Sequence, residues 1–210
     1  MLVTASGLTL VPGGIFVPPA AEAALAARLS DLIGQTVGYE IYGHDRYGHA
    51  LAQIFPSRSG DRSLSAEIVA AGQGAVLPDA IETPCLPELL RIEGEARAAS
   101  RGLWGSVLRI RQAAEPKLAT HAGTLGLIEG RVLSVGNTTT NHYLNFGRNW
   151  ALDFTVMIPV RDAGSWGAGA PVPEELAGRK VRVRGLLEEW NGALIRAWHP
   201  AQIERIDDRD

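Results

Sequence analysis

Two groups of side chains in this chain have types and spacing suited to chemistry. The first is the turn His44-Asp45-Arg46-Tyr47-Gly48-His49, which crowds imidazole, carboxylate and guanidinium groups into one short segment. Imidazole and carboxylate are transition-metal ligands, so His44, Asp45 and His49 form a candidate metal set. Arg46 or His49 at a strand entrance also suits a phosphate-handling role; the ordinary alternative is a solvated, charged turn. The second group is Lys180, Arg182 and Arg184. They alternate with Val181 and Val183 and therefore project from one side of a strand. With Tyr143 and Trp190, and further off Trp150 and Trp198, they make a candidate surface for a single-stranded nucleic acid, cations for phosphates and rings for bases. The ordinary alternative is a solvated outer face with aromatics plugging barrel ends, and Glu188 and Glu189 would weaken phosphate attraction.

The elements that must position these groups read as strand-rich. A chain of 210 residues with 24 Gly and 12 Pro has many turns, and its length suits two domains, each with its own core. The balance of 20 Lys+Arg against 23 Asp+Glu argues against a generic phosphate-tracking protein, which gains affinity from an excess of cations. The single Cys85 excludes an intrachain disulfide and any multi-cysteine metal site. No apolar run approaches the roughly 20 residues needed to span a bilayer. Met1-Leu2-Val3-Thr4 lacks a basic region followed by a long apolar core, so no signal peptide is visible, and a periplasmic or exported location is expected only if an upstream leader was removed.

Leu8–Val11 and Ile15–Val17 read as a short hairpin around Pro12-Gly13-Gly14. Ala20–Ile33 has apolar positions at helical spacing before Gly34. Thr36–Tyr42 is a strand leading through the turn into the buried strand Ala50–Phe55. A polar turn follows at Ser57–Asp61. Ser65 is placed as the N-cap of a short helix with Ile68 and Val69 inward, and Ala75–Leu77 is a short extended piece. A helix from Pro87 to Arg101 carries the stripe Leu89, Ile92 and Ala96, with Glu93 and Arg97 expected to pair on its outside. Leu103-Trp104 follow as a plug.

Three segments, Asp45–Phe55 (DRYGHALAQIF), Ser63–Val76 (SLSAEIVAAGQGAV) and Leu89–Trp104 (LLRIEGEARAASRGLW), resemble the thermonuclease family of staphylococcal-nuclease-like domains in residues, order and spacing. The resemblance implies a five-stranded OB-type barrel with three helices, and a calcium-dependent nuclease. It covers residues 36–104 well and 5–35 loosely. The family's site does not carry over. Ser6-Gly7-Leu8-Thr9 stands where an acidic calcium strand is expected, with Leu8 at a carboxylate's place. Ile15–Ala20 lacks the second calcium carboxylate and the general-base glutamate, and Pro12 or Gly13 falls near the first phosphate-clamping arginine. His49 replaces the second, exchanging a bidentate guanidinium for single, tautomer-dependent bonds. Leu77, Pro78 and Asp79 stand where an aromatic platform is expected. No catalytic residue is therefore expected, with His49 and Arg46 the residual candidates, and no cofactor, the calcium ligands being lost.

Residues 107–122 read as a linker, and strands resume after them. Leu125–Val135 bends at Gly130; Tyr143–Phe146 and Asp153–Ile158 follow; a short helix is expected at Pro173–Leu176; and Lys180–Leu187 pairs with Ala193–Trp198 across Trp190-Asn191-Gly192. Glu129–Val132, Tyr143–Gly147, Asp153–Val156, Val181–Gly192 and His199–Glu204 also look like the C-terminal region accompanying some bacterial thermonuclease-like domains. The expected fold is mainly β with α (α+β): a staphylococcal-nuclease-like barrel at 1–106, the linker 107–122, and a second small OB-like barrel at 123–210. The function in keeping with these features is non-catalytic, a binding or structural module for a protein partner or larger assembly. Single-stranded nucleic-acid binding and residual phosphodiesterase activity are the alternatives.

Overall fold

In a computed structural model, residues 1–56, 62–78, 83–149, 152–167 and 169–206 are described. The fold is mixed α+β, mostly strands, with barrel-like sheets. The chain divides into two compact units, Met1–Leu108 and Arg109–Asp210. The polar turn expected at Ser57–Asp61 lies outside the described residues, as do Asp79 and Trp150.

The first unit contains β1 (Leu2–Val3), β2 (Thr9–Pro12), β3 (Ile15–Phe16), α1 (Glu22–Ser30), β4 (Gly38–His44), β5 (Ala50–Phe55), α2 (Leu64–Ala70), β6 (Ala75–Val76) and α3 (Leu86–Ala98). β5 is central: it lies antiparallel to β4 and parallel to β2, and Ala50, Ala52 and Ile54 are wholly buried. The hairpin expected between β2 and β3 does not form. β2 pairs with β1 and β5, while β3 pairs with β6 in a separate two-stranded sheet. Gly14 makes the break. It sits at φ 75°, and a Cβ there would lie 2.6 Å from Thr83 Cγ2, so the chain can turn from one sheet to the other only through glycine.

Two polar side chains fall elsewhere than expected. Ser63, not Ser65, caps α2, accepting the Ala66 N–H at 3.3 Å. Ser65 is fully buried and donates to the Gly13 carbonyl at 2.9 Å, fixing the turn between the two sheets. Glu93 points inward rather than outward. Its carboxylate is wholly buried and accepts the Val76 N–H at 2.6 Å, with the Arg97 guanidinium 3.5 Å away. α3 is thereby tied to β6 by a charge-assisted bond as well as by Leu89, Ile92 and Ala96.

The second unit contains β7 (Ile110–Gln112), β8 (Leu125–Arg131), β9 (Ser134–Asn137), β10 (Asn141–Asn145), β11 (Thr155–Pro159), α4 (Val160–Ala163), β12 (Lys180–Glu189), β13 (Ala193–Arg196) and β14 (Ile203–Arg205). The segment expected as a linker contributes structure: β7 runs parallel to β8, and Leu118 is buried in the core. Neighbouring strands run β8-β12-β13-β11-β10-β9, with β11 and β13 parallel. β8 and β9 follow one another in sequence, so the two ends of this series are joined directly through Val132 and Leu133. Leu144, Phe154, Val156, Ile158, Val183, Leu187 and Ile195 fill the interior, each contributing on the order of 1.5–3 kcal/mol on full burial. The Trp190–Gly192 loop joins β12 to β13, with Asn191 at φ 48° and Gly192 at φ 95°, the left-handed geometry that an Asn-Gly pair tolerates.

Replacing Ser65 by Ala strands the buried Gly13 carbonyl, and urea unfolding should record a loss of about 1–3 kcal/mol. Ser63→Ala, which removes only a cap, should cost about 1 kcal/mol. Equal, negligible effects would show that neither hydroxyl is structural.

Candidate functional site

The turn between β4 and β5 is built on the Asp45 carboxylate. Its Oδ1 accepts the backbone N–H groups of Tyr47 at 2.8 Å and His49 at 2.9 Å, and its Oδ2 lies 2.9 Å from His49 Nδ1. Gly48 supplies the left-handed residue at φ 82°. Arg46 stacks its guanidinium over the Tyr47 ring, 4.8 Å from the centroid, and Tyr47 leans toward His49. His49 is therefore held within its own turn. Desolvation alone would raise the Asp45 carboxyl; the His49 ring and the two amides outweigh it and hold the group below the ordinary carboxylate range. Asp45 and His49 come together, but His44 does not complete a site. Among the described residues, no group of three or more His, Cys, Asp or Glu side chains is placed to hold a metal ion.

The calcium implied by the resemblance does not fit the residues present. Leu8, Ile15 and Val17 pack against the apolar cluster of Leu10, Ala50, Ala52 and Ile54, where a hard cation would need several oxygen ligands. No step through calcium follows from such a donor set.

On β12 the three cations do share a side, but they do not form an open track. Arg182 is clamped between neighbouring strands. Its Nε and Nη2 reach Glu129 Oε1 on β8 at 2.9 and 2.6 Å, and its Nη1 reaches Glu204 Oε2 on β14 at 2.8 Å. Burial opposes its charge, yet the bond to Glu129 and the two neighbouring carboxylates raise its pKa overall. Arg184 is 3% exposed and Lys180 half-buried. Cross-strand pairing and burial, invisible in the alternation, account for the difference from the expected cationic face.

Tyr143 and Trp190, by contrast, come together. Their meeting place is the outer surface of the sheet, opposite the core. On β10, β11 and β13 the inward residues are Leu144, Val156 and Ile195; the outward ones are Tyr143 and Asn145, Thr155 and Met157, Leu194 and Arg196. Register sets Tyr143 beside Met157 and Asn145 beside Thr155, and Thr155 beside Leu194. A cleft of about 340 Å³ opens there, lined by Gly136, Tyr143, Asn145, Thr155, Leu194 and the loop residues Trp190 and Asn191. A second, of about 660 Å³, lies on the other side of Trp190 and is lined by Thr140, Asn141, Met157, Arg161 and Arg196 among others. Trp190 borders both. The sequence offers the period-two alternation of these strands as a signal for Met157, Leu194 and Arg196, but not the register that gathers them.

The fold is that of a mixed α+β protein of two units, the second with a ligand-sized cleft. Residues 17–106 match the family model of staphylococcal nuclease homologues. Among curated proteins, none matches the chain. No helix among the described residues is long and apolar enough to cross a membrane.

A depressed carboxyl stabilises the fold above its unfolded-state value and loses that contribution as pH falls through the folded value. Asp45→Asn keeps a turn acceptor but removes the charge, so it should lower the melting temperature at neutral pH. The gap to wild type should close below about pH 4. A gap independent of pH would remove the Asp45 charge from the account.

Proposed function

We propose that this chain is a non-catalytic binding protein, in which a nuclease-type unit has kept its architecture and lost its chemistry and serves as a structural or docking module in a protein assembly. The observation that carries this reading is the state of the turn. His49 stands at the place of a phosphate-clamping arginine and is bonded to Asp45 beside it. Such a group offers no bidentate grip on a phosphate. The apolar packing of Leu8, Ile15 and Val17 supports the same reading, since it sets hydrocarbon where a metal or an activated water would need carboxylates. Loss of metal, base and clamp removes electrostatic stabilisation that phosphodiester cleavage requires.

Single-strand binding through Lys180, Arg182 and Arg184 draws less support, because a phosphate would have to displace Glu129 and Glu204 from Arg182 and reach a buried Arg184. Residual phosphodiesterase activity through Arg46 and His49 draws none from the turn, where both side chains already have partners.

Heat-denatured DNA incubated with the purified chain and excess calcium should yield no acid-soluble nucleotide above the buffer control. Calcium should also leave the melting temperature unchanged, whereas a ligand at about a hundredfold its Kd would add about 2.7 kcal/mol of stability. Cleavage abolished by both chelation and His49→Ala would overturn the reading. Native co-purification should return the chain with a stoichiometric partner, and recovery only as free monomer would count against the assembly role.

A further inference from the structure

We infer that the paired clefts on either side of Trp190 form a binding site for a neutral, hydroxyl-rich chain, an oligosaccharide lying across the outer face of the second unit. The inference rests on reading the chain as a binding protein and adds the class of ligand and the surface that takes it.

The shape comes first. Clefts of about 340 and 660 Å³ adjoin at one aromatic side chain, each within the range of small-molecule sites. Trp190 is 47% exposed, an indole at the surface of a hairpin loop. Beneath it the floor is apolar, Met157 in one cleft and Leu194 in the other, both almost fully buried. A pyranose presents an apolar C–H face and a polar rim. The flat ring of Trp190 and the half-buried ring of Tyr143 suit the first.

The rim suits the second. Asn145, Asn191 and Thr155 line one cleft and Thr140 and Asn141 the other. Amides and hydroxyls both donate and accept, as sugar hydroxyls do, whereas a phosphate only accepts and is best met by donors alone. The rim is already organised: Asn141 Nδ2 donates to Thr140 Oγ1 at 3.0 Å and to the Tyr143 hydroxyl at 3.4 Å, and Asn145 Nδ2 donates to Ser134 Oγ at 3.3 Å. A preordered rim lowers the entropic cost of binding.

Charge separates an oligosaccharide from a nucleic acid. The two cations of the larger cleft each stand beside a carboxylate. Arg196 Nε meets Glu188 Oε1 and Oε2 at 3.0 Å, and Arg161 Nε lies 3.3 Å from Asp162 Oδ1. A polyphosphate seated here would meet Glu188 and Asp162 along with the arginines, with little net attraction. A neutral chain meets no such opposition. The strand order β9-β10-β11-β13-β12-β8 is that of OB barrels, whose faces take oligosaccharides as well as oligonucleotides.

The test uses the full chain. Neutral hexasaccharides of β-linked glucose and of β-linked N-acetylglucosamine are titrated by calorimetry and by tryptophan emission, alongside an oligothymidylate. Saturable binding of a hexasaccharide is expected, unchanged between low and high salt. Trp190→Ala should weaken it at least about tenfold at an unaltered unfolding midpoint, and Trp190→Phe should restore part of the loss. Failure of both sugars at millimolar concentration, or binding indifferent to Trp190→Ala, overturns the inference. Oligothymidylate binding that falls steeply with salt and needs Trp190 would replace it with a nucleic-acid cleft. All of these outcomes are independent of the calcium and cleavage assays, so the inference and the loss of nuclease chemistry fail separately.

Discussion

For the second unit to close, one run of chain must hydrogen-bond to two different partners, and it changes partner between Val132 and Leu133, just past Gly130. A Cβ at Gly130 would lie 2.6 Å from Ala113 Cβ and 2.8 Å from the Phe146 ring. No other residue permits so close an approach without displacing the neighbours. Before the bend, β8 lies along β12 from Leu125 to Arg131; after it, β9 lies along β10. This sharing sets β10, β11 and β13 side by side, with Phe146 packed on Phe154 at 4.9 Å beneath the corner. The outer face that carries Tyr143, Thr155 and Leu194 is a consequence of that closure.

The first unit is held together largely away from its charged turn. Its architecture is fixed by groups away from the turn: the Ser65 bond to Gly13, the Glu93 bond to Val76, and the apolar cluster around β5. A buried carboxylate costs several kcal/mol to desolvate, and the backbone amide and guanidinium that meet Glu93 offset part of that cost. At the surface, the Asp45 turn is satisfied by its own amides and imidazole. None of these interactions requires a metal or a phosphate. Leu8, Ile15 and Val17 pack against the same apolar cluster.

What was legible in the sequence divides along the range of the interactions concerned. The turn at Asp45–Gly48, the helix carrying Leu89, Ile92 and Ala96, and the Asn191-Gly192 loop are set by residues a few positions apart, and all stand where pattern places them. The partners of β2 and β3 are set by a glycine between them and by strands far along the chain, which periodicity does not report. Ser63 and Ser65 both satisfy the local rule for a cap, and only the position of Gly13 decides which one serves. Glu93 and Arg97 have the spacing of an exposed pair, and burial of the carboxylate follows from β6 passing beneath α3. For the cleft, alternation gives each strand's outward residues, but the register that brings Tyr143 to Trp190 is a tertiary fact.

Charge was the most misleading signal, and the reason is physical. Three cations on one side of a strand attract phosphate only if they lack closer partners. β12 is a central strand flanked by β8 and β14, and both neighbours set a glutamate opposite Arg182: Glu129 on one side, Glu204 on the other. Cross-strand opposites within reach of one another pair with each other before they meet solvent ions. A cation on a central strand is thus more readily a tie between strands than a docking point. On the outer face of β10, β11 and β13, by contrast, register sets amides, hydroxyls and rings together, and Arg196 and Arg161 already have acidic neighbours.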